Sequence, residues 1–341
     1  MEKKPLIIIG NEKVFKSDSS FYCDRYDEKS IPEGLSKYNE IYYIARSLNK
    51  KGDHKVNLKN IKVSKNIFLF IYSIIKTFKI SDASYLLISI TPYTFFSFFI
   101  LFIFRKKIFV YLRSSGHEEY KYILGSWAVG IYHFMYKIVT SKSNVIVCDY
   151  RLHDKNKSHL VLPSKLDSQW LKDQKVVSID EIKFLYVGRI NPEKGIIEFF
   201  KMFDELKLNA RLSVVSKIKN LKDINKNIEF LGHGFDVKSL IKIYDDHNIT
   251  ILPSFTEGHP HVVDESLSRK RPVIIFEEIA HIVKDKKGIF VSKRNVDSFS
   301  KTVKYVMQNY KDIQKEIEKN KLPTQEDFLK KISNIISINV T

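Results

Sequence analysis

Cysteine is nearly absent from this chain: Cys23 and Cys148 are the two among 341 residues, and no Cys-x-x-Cys pair occurs. That excludes a disulfide-stapled framework and a cysteine-based metal or redox site, and it fits a reducing compartment. Long apolar runs are missing as well. The most hydrophobic stretch, Thr94–Phe104 (TFFSFFILFIF), has 11 residues, far short of the roughly 20 that span a bilayer. It reads either as a buried helix covering a sheet or as a segment dipping into a membrane interface beside Arg105-Lys106-Lys107, and Ile67–Lys76 (IFLFIYSIIK) is a second such run. The amino terminus holds too few apolar residues for a signal-peptide core, so a cytoplasmic protein is expected, with peripheral attachment to the inner face of the cell membrane as an option.

Acidic residues are in short supply. Asp and Glu number 39 against 57 Lys and Arg, a net charge of +18. Such a surplus favours a polyanionic partner, whether nucleic acid, an anionic leaflet or a phosphorylated substrate; scattered lysines are equally a solvated surface in a compositionally biased genome. No basic stripe with interleaved stacking aromatics is present, which argues against nucleic acid. Repeats, heptads and low-complexity tails are also lacking.

What is present is core. Hydrophobic residues make up 44% and aromatics 13%, enough for two domains of ordinary size with a cleft between them. Leu6–Gly10, Ser84–Ile90, Ile108–Leu112 and Val145–Cys148 read as strands. Between them lie helices at Leu35–Leu48, where Leu35, Tyr38, Ile41, Tyr42, Ala45 and Leu48 recur at helical spacing, at Tyr93–Phe104 and near Ile123–Ile138. After loosely patterned polar sequence a second series starts at Phe184: strands at Phe184–Val187, Arg211–Val215, Ile228–Leu231, Ile249–Leu252 and Pro272–Ile275 alternate with helices at Ile196–Leu206, Val237–Tyr244 and after Glu265. The alternation predicts an α/β protein of two doubly wound sheets, with ligands at the carboxyl ends of the strands. Expected boundaries are 1–165 for the first domain, 166–183 for a linker and 184–324 for the second, with an amphipathic helix in 325–341 packing back on the first.

Glu257-Gly-His-Pro-His-Val-Val-Asp-Glu265 follows the apolar run Ile249–Leu252 and reads as strand, tight loop, helix start. A helix amino terminus attracts an anion, Glu257 can accept from a polyol, and Glu265 can reach a ribose diol. Charge and hydroxyls together suggest a nucleotide sugar. Val187-Gly188-Arg189 and Glu193-Lys194-Gly195 place two cations at a strand end and helix start, where they can clamp a diphosphate.

In order and spacing, Val187-Gly-Arg, Glu-Lys-Gly195, Phe230-Leu-Gly232, Leu252-Pro-Ser254, Glu257-Gly258, Glu265 and Arg271-Pro-Val-Ile274 resemble the carboxy-terminal domain of glycosyltransferase family 4. These are retaining enzymes of the GT-B fold, two Rossmann-like domains facing across a cleft, and the resemblance here is to the bacterial surface-polysaccharide type. It implies that Gly188, Arg189 and Lys194 bind the diphosphate of a UDP- or GDP-sugar, that Glu257, Gly258 and His259 hold the sugar, and that Glu265 bonds the ribose. Ser216, Gly232 and His233 would line the base slot. No metal is expected, since the family meets phosphate charge with Arg, Lys and helix termini. The family commonly has an apolar or aromatic residue where His259 stands, so His259 and His261 read either as ligand contacts or as loop residues satisfying backbone groups.

In the first half, Ala45–Gly52 looks like the family's first helix, and His117, after the strand ending at Leu112, is the candidate to face the donor sugar. Arg113, Glu118 and Glu119 are candidates for a structural ion pair or for holding the acceptor. The basic, aromatic-rich amino-terminal half suits an acceptor hydroxyl on a glycan or polyprenyl-diphosphate-linked glycan, with contact to an anionic membrane. Two other readings stay open: a GT-B-like sugar-nucleotide epimerase, for which no carboxylate base stands out, and a non-catalytic basic protein binding membrane or nucleic acid.

Overall fold

The protein, described from a computed structural model, is defined over residues 3–24, 26–175, 177, 179–217 and 226–337. It divides into two units, one running to Leu162 and resuming at Glu326, the other running from Pro163 to Gln325.

The first unit is built on nine strands: β1 (Pro5–Lys16), β2 (Phe21–Cys23), β3 (Glu40–Ser47), β4 (His54–Val56), β5 (Asn60–Ser64), β6 (Ser84–Ile88), β7 (Lys107–Leu112), β8 (Asn144–Val147) and β9 (Ser158–Leu160). Seven run parallel in the order β5-β3-β1-β6-β7-β8-β9, while β2 pairs antiparallel with the far end of β1 and β4 pairs antiparallel with β2. Strands such as β6 are buried at every position, as a parallel sheet covered on both faces requires.

The helix expected over Leu35–Leu48, and with it the first-helix reading of Ala45–Gly52, is replaced by β3. Its residues pair with β1 on one side and β5 on the other. Ile41, Tyr43 and Ala45 enter the core on one sheet face and Ile44 the core on the opposite face, so the apolar run is two-sided. The helix near Ile123–Ile138 is two helices, Gly116–Leu124 and Trp127–Ser141, broken at Gly125, whose φ of 97° no ordinary helix residue adopts. The carboxy-terminal helix Gln325–Ser337 buries Phe328, Leu329, Ile332, Ile335 and Ile336 in the core of the first unit.

The second unit has six parallel strands, β10 (Ile182–Val187), β11 (Ala210–Val215), β12 (Ile228–Gly232), β13 (Ile249–Leu252), β14 (Val273–Phe276) and β15 (Ile289–Ser292). Their order is β12-β11-β10-β13-β14-β15, the doubly wound arrangement in which the winding reverses between β10 and β13. Ligands of such sheets bind outside the carboxyl ends of the strands at that reversal.

The stretch expected as a linker belongs to this unit. Leu166 and Trp170 are buried in its core, and the fully buried Arg269 donates to the carbonyls of Trp170, Lys172 and Asp173 at 2.9, 2.6 and 2.8 Å. Buried polar groups must be paired, and these carbonyls together with Asp245 supply Arg269's partners. Positions 176 and 178 of that stretch and 338–341 of the expected terminal helix lie outside the described residues.

Candidate functional site

The two strands flanking the reversal carry the two motifs singled out from the sequence. β10 ends in Gly188-Arg189 and continues through a 3-10 turn, Pro192–Lys194, to Gly195 and the helix Ile196–Asp204; β13 ends in Pro253-Ser254 and leads to Glu257 and the helix His261–Ser268. Gly195 has φ 60°, and a Cβ there would lie 2.2 Å from the Pro253 carbonyl oxygen. Only glycine allows the two loops to come this close. The Phe255 N–H donates to the Glu193 carbonyl at 3.0 Å, which stitches them together.

Across this seam the Lys194 ammonium lies 2.6 Å from Glu257 Oε1, which also accepts from Ser254 Oγ at 2.7 Å. Both side chains of the ion pair are largely buried, at 18% and 11% exposure. Arg189 is half exposed, its guanidinium 3.5 Å from the buried carboxylate of Glu193. Tyr186 donates to the Arg189 carbonyl at 2.6 Å, and its phenol is pushed well up by burial and then by the charge of Glu257. The site therefore offers one cation reaching solvent, a second held by a carboxylate, and a carboxylate aimed at the same loop.

The remaining predicted residues fall into separate places. His259 Nε2 lies 2.7 Å from Asp264 Oδ2, and Lys286 Nζ lies 2.5 Å from the other oxygen of that carboxylate. Burial opposes the charge on Asp264, but the His259 hydrogen bond and the Lys286 charge hold its carboxyl below the ordinary value. Glu265 sits inside the helix His261–Ser268, which thus begins before it rather than after it as expected; it is buried and accepts from the Tyr244 hydroxyl at 2.9 Å. Gly258 is buried in the same loop. Ser216 is buried just past β11, next to the undescribed positions 218–225, whereas Gly232 (φ 92°) and exposed His233 follow β12.

His117 belongs to the first unit. It lies in the first turn of the helix Gly116–Leu124, its Nε2 3.3 Å from His133 Nδ1 and its ring edge-on to Tyr132 and Tyr136. Burial and then the neighbouring His133 lower its pKa. Arg113 pairs with the buried Glu12 at 2.9 Å and reaches Ser89 Oγ at 3.4 Å.

Two side chains that buttress the seam were not foreseen. Arg294 donates to the Pro253 carbonyl at 3.0 Å and to Glu278 at 2.7 Å, with its guanidinium 4.3 Å from the ring centres of both Phe255 and Phe276. His281 Nε2 lies 3.0 Å from the Glu257 carbonyl oxygen. Arg294 stands two residues past the carboxyl end of β15, and no local pattern in the sequence marks its contact with Pro253, 41 positions away.

Residues 168–322 match the family model "Glycosyl transferases group 1". The chain superposes on the sucrose-phosphate synthase of Thermosynechococcus elongatus with a TM-score of 0.69, at 13% identity and 98% coverage of both chains. It superposes similarly on Anabaena HepE in complex with UDP, with a TM-score of 0.67, 11% identity, and 98% and 99% of the two chains covered. The fold is GT-B. A glycosyltransferase of Methanocaldococcus jannaschii is 25% identical over 319 residues, covering 80% of this chain and 74% of that protein. The seam between β10 and β13 lies wholly inside the matched residues 168–322. No helix among the described residues is long and apolar enough to cross a membrane.

Proposed function

We propose that the chain is a retaining glycosyltransferase of family 4 that moves a sugar from a UDP- or GDP-sugar to a hydroxyl of a polyprenyl-diphosphate-linked glycan during assembly of a surface polysaccharide. The observation that carries the reading is the seam: Arg189, Lys194 and Glu257 stand on stitched loops at the point where a doubly wound sheet reverses, inside the matched domain. HepE, of like fold, is in complex with UDP, which supports a nucleoside diphosphate as the leaving group.

In this reading the diphosphate lies against Arg189 and Lys194, and Glu257 with the backbone after it orients the sugar. Ser216, Gly232 and His233 border the base, Glu265 takes the ribose, and His117 of the first unit serves the donor sugar. As the bond from the anomeric carbon to the phosphate oxygen breaks, the acceptor oxygen bonds to that carbon from the same face, and the departing phosphate takes the acceptor proton. The cations act by stabilising charge that grows on the phosphate, and the seam by fixing them before reaction, so little reorganisation is needed. The reading assigns no metal, because Arg189, Lys194 and helix N–H groups meet the phosphate charge. The enzyme would work in the cytoplasm at the inner face of the membrane.

The test is product analysis. The protein is incubated with UDP- and GDP-sugars and a lipid-linked glycan extract, and the anomeric proton of the product is read by NMR. A product with the donor's anomeric configuration supports the reading; inversion overturns retention, and turnover without transfer to any lipid-linked glycan overturns the acceptor.

A further inference from the structure

Four helices, Ile67–Ile75, Pro92–Ile103, Gly116–Leu124 and Trp127–Ser141, stand side by side on one face of the first sheet. Ring contacts join neighbours: Phe70 to Tyr93 at 5.2 Å, Phe95 to Phe134 at 6.0 Å and Tyr120 to Tyr132 at 4.9 Å. Their inner sides fill the core beneath, through Phe70, Phe98, Met135 and Val139 among others. On a helix that covers a sheet the opposite side is ordinarily charged. Here it is apolar. Phe68 is 82% exposed, Trp127 70%, Ile103 66% and Phe134 60%, with Phe96 and Phe102 about half exposed.

Of the nineteen exposed large hydrophobic side chains in the described protein, fourteen lie between Phe68 and Phe134, so this is one concentrated face and not scatter. At roughly 150–250 Å² per aromatic ring, partly exposed, they present on the order of 1,000 Å². The largest apolar patch on a typical soluble monomer is about 300–600 Å². Neither Ile67–Ile75 nor Pro92–Ile103 contains a charged residue.

The surrounding charge has one sign. From Lys65 to Ser143 there are ten Lys and Arg against Asp82, Glu118 and Glu119, and exposed Lys76, Lys79, Arg105, Lys121, Lys137 and Lys142 lie at the ends of these helices or along their exposed sides. A second copy seated here by a two-fold contact would bring the same cations against themselves, which disfavours a dimer. An anionic leaflet offers both complements: apolar depth for aromatic rings, and phosphate charge for each Lys or Arg near the surface.

We propose that this four-helix face docks the protein on an anionic lipid surface, with Phe68, Phe102, Trp127 and Phe134 entering the headgroup layer and the lysines and Arg105 at its rim. For its purpose the proposal rests on the lipid-linked acceptor reading; for its chemistry it stands on exposure and charge alone.

Trp127 makes the test direct, because the chain has two tryptophans and Trp170 is buried at 2% exposure. The full chain is mixed with phosphatidylcholine vesicles, with and without phosphatidylglycerol, and followed by flotation and by Trp emission. UDP or GDP titration and gel filtration with light scattering are run on the same preparation. Expected are co-flotation with the anionic vesicles, a blue shift of Trp127 emission on binding, weaker binding at high salt, and at least about tenfold weaker partition for Phe102→Ser/Trp127→Ser/Phe134→Ser. Nucleotide affinity of that variant should be unchanged, and its circular dichroism spectrum and melting profile should match those of the wild type, which shows that the substituted first unit is folded. No flotation of the wild type, equal flotation of the folded triple variant, or a stable dimer that the triple substitution dissociates would overturn the docking proposal. Nucleotide binding without flotation removes docking alone, whereas flotation without nucleotide binding supports docking and removes the transfer reading.

Discussion

Replacing Gly195 by alanine should separate the two donor loops. The residue holds φ 60°, where an L side chain costs about 1–2 kcal/mol, and the new Cβ would meet the Pro253 carbonyl oxygen at 2.2 Å, a distance that no rotamer relieves. To escape, the segment Glu193–Gly195 must move away from Pro253–Phe255, losing the Phe255 to Glu193 backbone bond at a further cost of about 1 kcal/mol. Together these give about 2–3 kcal/mol, and for a unit of this size about 4–12 °C in melting temperature. Lys194 moves with the segment, so nucleotide affinity should fall too. Gly130 is the control of opposite sign: it lies within the helix Trp127–Ser141, and a Cβ there meets nothing within 4 Å. Gly130→Ala should therefore stabilise, by about 0.5–1 kcal/mol. Calorimetric melting of both variants, with UDP and GDP titrations, is the assay. A Gly195→Ala protein that melts with the wild type and binds nucleotide equally well would refute the close-approach argument.

Three further outcomes are expected. Arg294→Gln removes the bond to the Pro253 carbonyl and the stacking on Phe255 and Phe276, and should cost about 2 kcal/mol in urea unfolding while also weakening nucleotide binding. His259→Ala leaves the buried Asp264 without one of its two side-chain hydrogen bonds and should destabilise by about 2 kcal/mol, measured in the same way. His247 is buried with its pKa lowered from 6.5, chiefly by burial, so between its folded value and 6.5 the unfolded chain binds more protons than the native one. Stability from this group is present above pH 6.5 and is lost as pH falls below it, and His247→Asn should flatten that acid limb of a melting-temperature profile.

Much of the second unit is readable in the residues themselves. Ile249–Leu252 is a short apolar run closed by Pro253, and Gly188, Gly195 and Gly258 punctuate strand and helix ends, so the order of elements and the placing of Lys194 and Glu257 follow from local chemistry. Harder cases share one cause: partners distant in sequence. Ile41-Tyr-Tyr-Ile-Ala45 is apolar on both sides, and helical spacing can be picked out of any continuous apolar run; only pairing with β1 and β5 decides for a strand. Leu166 and Trp170 are apolar residues in polar sequence, and they are buried against Leu185, Val215 and Tyr244, partners that are distant along the chain, while Arg269, about a hundred positions on, holds the Trp170 carbonyl. Arg294 reaches Pro253 across 41 positions, a contact to which no local pattern points. Local capping and periodicity also leave open which side of a helix meets solvent. That is why Thr94–Phe104 admitted both a buried and an interfacial reading, and the structure shows one side buried and the other exposed.

The central claim is that the seam between β10 and β13 binds a nucleoside diphosphate through Arg189 and Lys194. Calorimetric titration of UDP and GDP into the wild type, Arg189→Ala and Lys194→Ala tests it most directly. The account predicts binding of at least one nucleotide and a loss of about 10- to 150-fold in each variant, the worth of a charged hydrogen bond at about 1.5–3 kcal/mol, with the fold intact. Wild-type affinity in both folded variants, or no binding of either nucleotide to the wild type, would contradict it.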